Sequence, residues 1–197
     1  MNLEKTIRNL EGRGFRVSHF EKAEDAAAHI AGQVSGKTVG IGGSKTIEAL
    51  GLFEKLSENN TVYWHWKTPG RDTLNAAALT DVYLSSANAI SEDGEIVNID
   101  GTGNRVAPII WGPDKVIYVI GANKIAADVH AAYTRIKCDA CPPNCIRLGK
   151  QTPCALTGKC GNCLSPGNTV CCHLVTTRYS SIPDRVHVIL VNENLGF

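Results

Sequence analysis

The 197-residue sequence has little excess charge, few aromatic side chains and no long apolar run. Its 20 Lys and Arg against 19 Asp and Glu give a net charge of +1, which supplies no basic field for nucleic acid or an anionic membrane. Aromatic residues make up only 6%, few for stacking on bases. No stretch approaches the roughly 20 apolar residues of a membrane span, and the polar N-terminus lacks a secretory signal. We therefore expect a cytoplasmic protein that binds no nucleic acid and does not span a membrane.

Cysteine is the residue that the sequence has in unusual number. Eight cysteines in a chain without an export signal are expected to be reduced thiols, available for metal or redox chemistry. All eight fall within residues 138–172, which are rich in Pro, Gly and Asn and show no apolar periodicity. We predict that this irregular segment is a metal-binding insertion, because a loop this long is usually functional or held by something other than a core.

The cysteines form two groups. A Cys-x2-Cys spacing lets two thiolates from one tight turn reach the same ion. The second group would suit tetrahedral zinc or a [4Fe–4S] cluster equally well, and neither ferredoxin spacing is matched. Unligated thiols and disulfides are the alternatives. The second group consists of Cys154, Cys160, Cys163, Cys171 and Cys172, and the first group adds Cys138, Cys141 and Cys145 as further candidates.

Strand and helix patterns alternate along the chain, and the length suits one domain over residues 1–197. The strongest buried-strand pattern is Lys115 to Gly121, and an Asp93-Gly94 turn indicates a hairpin. This alternation predicts an α/β fold with a mostly parallel sheet and helices on both faces. The predicted strands are 15–20, 37–41, 62–66, 81–85, 95–99, 115–121 and 186–191, and the predicted helices are 3–11, 23–34, 46–50 and 125–136.

A glycine-rich turn, Gly42-Gly43-Ser44, leaves the second strand and opens a helix near Thr46. Such a turn presents free backbone N–H groups and the positive end of a helix to an anion. A plain N-cap at Ser44 or Thr46 is the alternative. The turn is neither a P-loop nor the Rossmann fingerprint.

Polar residues follow three further strands. Arg105 offers a bidentate fork for a carboxylate or phosphate, although Asp100 could instead pair with it structurally in a simple turn. In open α/β sheets the carboxyl ends of the strands form the ligand site. We therefore predict one cleft for a small anionic metabolite. Its expected residues are Gly42, Gly43, Ser44, Thr46, Asn88, Asp100, Gly101, Gly103, Asn104, Arg105, Asn123 and Lys124.

The stretches Gly42–Glu48, Ser85–Gly94 and Pro153–Cys160 form long motifs. At these and further stretches the chain resembles the LUD domain family (DUF162) of lactate utilisation, and the resemblance covers nearly the whole sequence. It implies a fold of the NagB/RpiA/CoA-transferase-like type and a role in oxidation of L-lactate to pyruvate, beside iron–sulfur oxidoreductase subunits. It also implies that Cys154, Cys160, Cys163 and either Cys171 or Cys172 are the cysteines of the family type, whereas the first cysteine group departs from the pattern. The stretches that carry the resemblance include Gly42–Glu48, Ser85–Gly94, Asn98–Ala107, Gly121–Ile125, Pro153–Cys160 and Val188–Gly196.

The leading hypothesis is a LUD-type protein that binds a hydroxy- or keto acid and holds an iron–sulfur cluster, [4Fe–4S] in preference to zinc. One alternative is a non-catalytic subunit or ligand-sensing module of an oxidation complex. Another is a relative of sugar-phosphate isomerases or acyltransferases. That activity needs a general base, for which Glu48, Asp100 and Lys124 are the candidates. No glutamate matches a CoA-transferase nucleophile, so CoA transfer is not expected.

Overall fold

The computed structural model describes residues 2–164 and 168–197. Met1 and residues 165–167 of the predicted insertion lie outside the described residues. The strands are β1 (Arg16–Phe20), β2 (Thr38–Ile41), β3 (Thr61–Trp64), β4 (Val82–Ser85), β5 (Ala89–Ser91), β6 (Ile96–Asp100), β7 (Lys115–Gly121), β8 (Ile125–Ala126), β9 (His173–Thr177) and β10 (Val186–Val191). The α-helices are α1 (Leu3–Gly12), α2 (Ala23–Gln33), α3 (Lys45–Ala49), α4 (Leu52–Ser57), α5 (Arg71–Ala78), α6 (Val106–Ile110), α7 (Val129–Arg135), α8 (Cys141–Arg147) and α9 (Pro153–Thr157). A 3₁₀-helix covers Ala122–Lys124 and a π-helix covers Ile136–Ala140.

Six strands form a parallel sheet in the order β1-β10-β7-β4-β2-β3. The two strands with the strongest apolar runs, β7 and β10, lie side by side near its middle, in register from Val186 beside Val116 to Val191 beside Gly121. Such runs are typical of strands that are buried on both faces. The predicted α/β fold with a mostly parallel sheet is confirmed, and all carboxyl ends of this sheet share one edge.

Each face of the parallel sheet is covered by helices, because successive side chains of a strand point to opposite sides. One face packs Ile117 and Val119 of β7 against apolar residues of α2, α3 and α4. The other face packs Tyr118 and Ile120 of β7 against α1, α5 and α6. This second core also includes Ile90 from the smaller sheet, which therefore packs on the same side.

The smaller sheet has the order β8-β5-β6-β9. Strands β5 and β6 form an antiparallel hairpin around the predicted Asp93-Gly94 turn, with Gly94 at a φ of 92°. The predicted strand 81–85 is not its first strand, because β4 pairs with β7 in the parallel sheet. Strand β9 pairs antiparallel with β6 and brings residues of the cysteine segment next to Asp100, since His173 lies opposite it. Helix α7 packs on this sheet through Ala132.

Several short elements were not predicted from the sequence. The predicted helix 125–136 begins as strand β8, and α7 starts only after Asp128, whose side chain accepts a hydrogen bond from the Ala131 N–H at 2.7 Å. The cysteine segment, predicted as irregular, contains α8 and α9, each with proline in its first turn. Helices of five to seven residues are too short to show an apolar period, and proline at the first position favours a helix start.

No helix among the described residues is long and apolar enough to cross a membrane.

The free energy of unfolding depends on pH through His187 of β10, a histidine that is buried in the folded chain. It is fully buried, its Nε2 lies 2.9 Å from Ser18 Oγ, and its Nδ1 has no hydrogen-bond partner among the described residues. Burial, reinforced by Arg16 and Lys115, lowers the pKa of His187 to about 4 from 6.5. Between these two values the unfolded chain binds a proton that the folded chain does not. Stability is therefore complete above pH 6.5 and is lost as the pH falls towards 4.

We expect the free energy of unfolding to fall by up to about 3 kcal/mol across this window through His187 alone. Urea unfolding at a series of pH values measures this slope. His187→Asn should flatten it, because asparagine does not titrate, whereas His130→Gln should not, because His130 is exposed on α7. Equal slopes in the parent and in His187→Asn would contradict the assignment.

Candidate functional site

A cleft of about 720 Å³ lies at the carboxyl edge of the parallel sheet. Its walls come from the turns after β2, β3, β4 and β7, from the loop after β6, and from the cysteine segment. The structure thus brings together segments that are far apart in sequence. The predicted residues that line this cleft are Gly43, Ser44, Thr46, Asn88, Asp100, Gly101, Asn104, Arg105 and Lys124. Four predicted candidates do not line it: Gly42, Glu48, Gly103 and Asn123.

Lys124 is the most unusual residue of the cleft. It is 4% exposed, and its Nζ donates hydrogen bonds to Ser86 Oγ at 3.0 Å, Thr46 Oγ1 at 3.1 Å and the Ala87 carbonyl at 3.2 Å. No carboxylate of the described chain forms an ion pair with it. Burial, followed by repulsion from Arg135 and Arg105, lowers the pKa of Lys124 to about 7. A large fraction of this amine is therefore neutral near neutral pH, which an exposed lysine would not be.

Arg105 lines the cleft, but its terminal nitrogens are occupied. Nη1 donates to the Ser86 carbonyl at 2.9 Å and to Asn98 Oδ1 at 2.7 Å. Nη2 donates to Asn88 Oδ1 and to the Ile99 carbonyl, both at 2.7 Å. These bonds use all four Nη hydrogens, so the guanidinium group that was predicted to bind a ligand is bound to protein oxygens instead. Arg105 positions the loops that surround the cleft.

Asp100 is engaged in the turn that follows β6. Its Oδ1 accepts hydrogen bonds from the N–H groups of Thr102 at 3.1 Å and Gly103 at 2.8 Å. Its Oδ2 lies 3.7 Å from Arg105 Nε. The structural alternative, an acid that stabilises a turn and pairs with Arg105, therefore describes its contacts. The third base candidate, Glu48, is exposed and paired with Lys45.

The turn after β2 approaches the cleft closely. Ser44 caps α3, because its hydroxyl accepts a hydrogen bond from the Ile47 N–H at 3.3 Å. Helix α3 is only five residues long, so its dipole adds little to anion binding. Gly42 lies beneath the wall, and a Cβ there would come within 2.8 Å of Tyr83 Oη and 3.0 Å of Arg105 Cγ. Glycine is needed at this position for close approach, not for ligand contact.

Asn123 faces the C-terminal residues. Its Oδ1 accepts from the Leu195 N–H at 3.1 Å and its Nδ2 donates to the Gly196 carbonyl at 3.4 Å. The same tail covers Lys124, since a Cβ on Gly196 would lie 3.5 Å from Nζ and 2.7 Å from Thr46 Oγ1. Asn123 therefore holds the C-terminal residues in place over the buried amine.

Several residues that line the cleft were not among the predicted site residues. Trp66 lies in one wall, stacked on Trp64 with ring centroids 5.3 Å apart. The Arg147 guanidinium lies over Trp66 at 4.9 Å, and Lys45 Nζ at 6.0 Å. No sequence motif indicates Trp66, because Arg147 of α8 reaches this ring, which follows β3, only in the folded chain. Among the described residues, five lysine and arginine side chains line the cleft and Asp100 is the one aspartate or glutamate that does: the five are Lys45, Arg105, Lys124, Arg147 and Lys150.

Four thiols approach one another beside the cleft in two pairs. Cys141 Sγ lies 3.5 Å from Cys171 Sγ, and Cys145 lies near enough to Cys154 for the two thiols to influence each other's ionisation. The contact with Cys171, and then burial, raises the pKa of Cys141. The same contact, aided by Lys137, lowers the pKa of Cys171 to about 7, so Cys171 is the thiol of this pair that ionises first. Burial raises the pKa of Cys145 to about 11.

The pairs differ from the predicted ligand set. Cys141, which the family resemblance left aside, contacts Cys171. Cys145, left aside as well, lies near Cys154. Cys160 is exposed, with Asn162 Oδ1 at 3.9 Å from its sulfur. Cys138 and Cys172 are exposed and Cys163 is partly exposed. Over residues 2–164 and 168–197, no three or more His, Cys, Asp or Glu side chains are arranged to hold a metal ion. The two pairs lie near each other, since Cys145 and Cys154 also raise the pKa of Cys141.

Comparison with known proteins identifies a family and a fold. A family model described as the LUD domain matches residues 3–191. A solved DUF162 family protein from Deinococcus radiodurans is 16% identical, with a TM-score of 0.57, over 96% of this chain and 95% of that chain. That similarity supports the fold alone. The curated proteins include no match.

The four hydrogen bonds of Arg105 predict a structural cost when its fork is removed. Arg105→Lys keeps the charge but cannot reach four acceptors in one plane, so we expect a loss of about 2–3 kcal/mol of unfolding free energy. Urea unfolding measures it. Arg147→Lys is the matched control, because Arg147 is exposed and its hydrogen bonds go to Asn144. Equal stability of the two variants would contradict the positioning role.

Proposed function

The chain belongs to the LUD domain family, and from this premise we propose that its cleft binds a small anionic metabolite, a hydroxy- or keto acid of lactate utilisation. The reaction in which we place it is the oxidation of L-lactate to pyruvate. Iron–sulfur oxidoreductase subunits are the proposed partners and the cytoplasm is the proposed compartment.

One observation carries the proposal: Lys124 is buried in the cleft without a carboxylate partner among the described residues. Burying an ammonium group without an opposite charge is unfavourable, and a bound carboxylate would supply that charge. The rest of the described lining points the same way, since lysine and arginine side chains outnumber aspartate and glutamate side chains by five to one. Lys124 would hold the anion, while Arg147 and Lys45 at the Trp66 wall would attract it.

A second candidate is a non-catalytic or ligand-sensing subunit of an oxidation complex. The positions of the carboxylates favour it, because Glu48 lies outside the cleft and both Asp100 oxygens face protein donors. An isomerase or acyltransferase would have to use Lys124 as its base. Turnover of lactate by the purified chain alone, with an added electron acceptor, would exclude the non-catalytic hypothesis.

We also propose that the cysteine segment binds metal, as an iron–sulfur cluster in preference to zinc. What supports this is the mutual approach of Cys141, Cys145, Cys154 and Cys171, in a segment whose helices are only five to seven residues long. Two thiols 3.5 Å apart are spaced as two sulfur ligands of one metal ion are, given Zn–S bonds of about 2.3 Å. Metal binding would bring the four sulfur atoms of the two pairs around one metal centre.

The anion proposal predicts a loss of affinity when the charge of Lys124 is removed. We expect Lys124→Met to weaken binding of pyruvate or L-lactate by roughly 1.5–3 kcal/mol, the usual contribution of a hydrogen bond to a charged group. Isothermal titration measures both affinities. Lys115→Met is the control, because Lys115 lies at the opposite end of β7, outside the cleft lining. Unchanged affinity in Lys124→Met, or no binding of either acid by the parent, would contradict the proposal.

The metal proposal predicts iron after anaerobic purification. Replacing Cys141 or Cys154 by serine should reduce the iron content and loosen residues 138–172, while the parallel sheet keeps its protection from hydrogen exchange. Cys138→Ser is the control, because Cys138 is exposed and lies outside both pairs. Elemental analysis and hydrogen exchange give the two readouts. Equal iron content in all three variants would exclude the paired thiols as ligands.

A further inference from the structure

We propose that Lys124 is a nucleophile that forms a covalent iminium bond with a small anionic aldehyde or ketone bound in the cleft. This inference rests on the proposed function, that the cleft binds a small anion, and adds a chemical step to it. A 2-keto acid such as pyruvate and a phosphorylated aldehyde share the chemistry required: a carbonyl carbon to be attacked and a negative charge to be held.

The geometry around Nζ carries the proposal. The amine ends in the cleft wall between two hydroxyl groups, Ser86 Oγ at 3.0 Å and Thr46 Oγ1 at 3.1 Å. Both hydroxyls have an onward acceptor, the Ala87 carbonyl for Ser86 and the Leu195 carbonyl for Thr46. A lysine that served only to neutralise charge would face a carboxylate, and in the described chain none is paired with Lys124.

The charged groups near Lys124 favour an uncharged amine. Arg105 and Arg135 repel the ammonium form, and both guanidinium groups are fixed by hydrogen bonds to protein oxygens. Asp100 is directed to Arg105 and to the backbone of its own turn. Together with burial these neighbours hold the pKa of Lys124 near 7, so the lone pair needed for attack is available near neutral pH.

The step balances without a redox partner. The neutral amine attacks the carbonyl carbon, forming the C–N bond as the carbonyl π electrons move to oxygen. Ser86 or Thr46 can take a proton from nitrogen and deliver it to that oxygen, which gives a carbinolamine. A second proton, taken from solvent in place of the one that the ammonium form had released to it, leaves with the oxygen as water and gives a protonated imine. The sum is one ammonium and one carbonyl converted to one iminium and one water, with the positive charge conserved.

Reduction with borohydride tests the proposal, because it converts the iminium into a stable secondary amine. The intact chain is incubated with pyruvate, or in a second arm with glyceraldehyde 3-phosphate, then reduced, digested and mapped by mass spectrometry. We expect one adduct per chain, on Lys124, in at least one arm. Lys124→Met and Lys124→Arg should both lose the adduct to the level of a sample without probe. Lys124→Arg keeps the charge, and thermal melting shows which variants fold.

Lys115→Met is the matched control. Burial also lowers the pKa of Lys115, but this residue lies at the other end of β7 and does not line the cleft. Its replacement should leave the adduct in place, which separates position in the cleft from a lowered pKa alone. Absence of an adduct in both arms, or adducts spread over lysines in a pattern that Lys124→Met does not change, would overturn the proposal. Binding of pyruvate in a titration without borohydride would then still support the anion site, so the two proposals fail separately.

Discussion

The Arg105 guanidinium joins the two sheets at the cleft, and the rest of the site depends on this joint. Its Nη hydrogens bond to Ser86 and Asn88 after β4, and to Asn98 and Ile99 of β6. A single planar fork thereby connects the carboxyl edge of the parallel sheet to the smaller sheet. Because the acceptors are buried or partly buried, losing the donor would leave several polar oxygens unpaired, which costs more than the bonds themselves contribute.

The environment of Lys124 follows from that joint. Ser86 and Ala87, which accept hydrogen bonds from Nζ, belong to the segment that Arg105 holds in place. The other neighbour, Thr46, is held by the C-terminal tail through Leu195. Three independent segments therefore converge on one amine, and the positive charge of Arg105 at their junction disfavours a second charge there. Burial and the neighbouring positive charges act in the same direction and favour a neutral lysine in a basic cleft.

The cysteine segment forms another wall of the same cleft. Strand β9 anchors its end beside β6, and α8 carries Cys141 and Arg147 to the opening. The thiol pair Cys141–Cys171 thus lies next to the proposed anion site.

The sequence by itself determined the parallel sheet and the edge at which its polar turns would meet. Lys115–Gly121 and Val186–Val191 are apolar on both faces, so burial on both sides is a local property of the chain. The sequence also predicted most of the segments that meet at the cleft. Only the tertiary structure decided what each side chain does there. Whether Arg105 meets a ligand or protein oxygens, and which cysteines pair, depends on distances between segments that are far apart along the chain. Spacing along the chain does not determine such distances, because loops close over many lengths at nearly equal entropic cost.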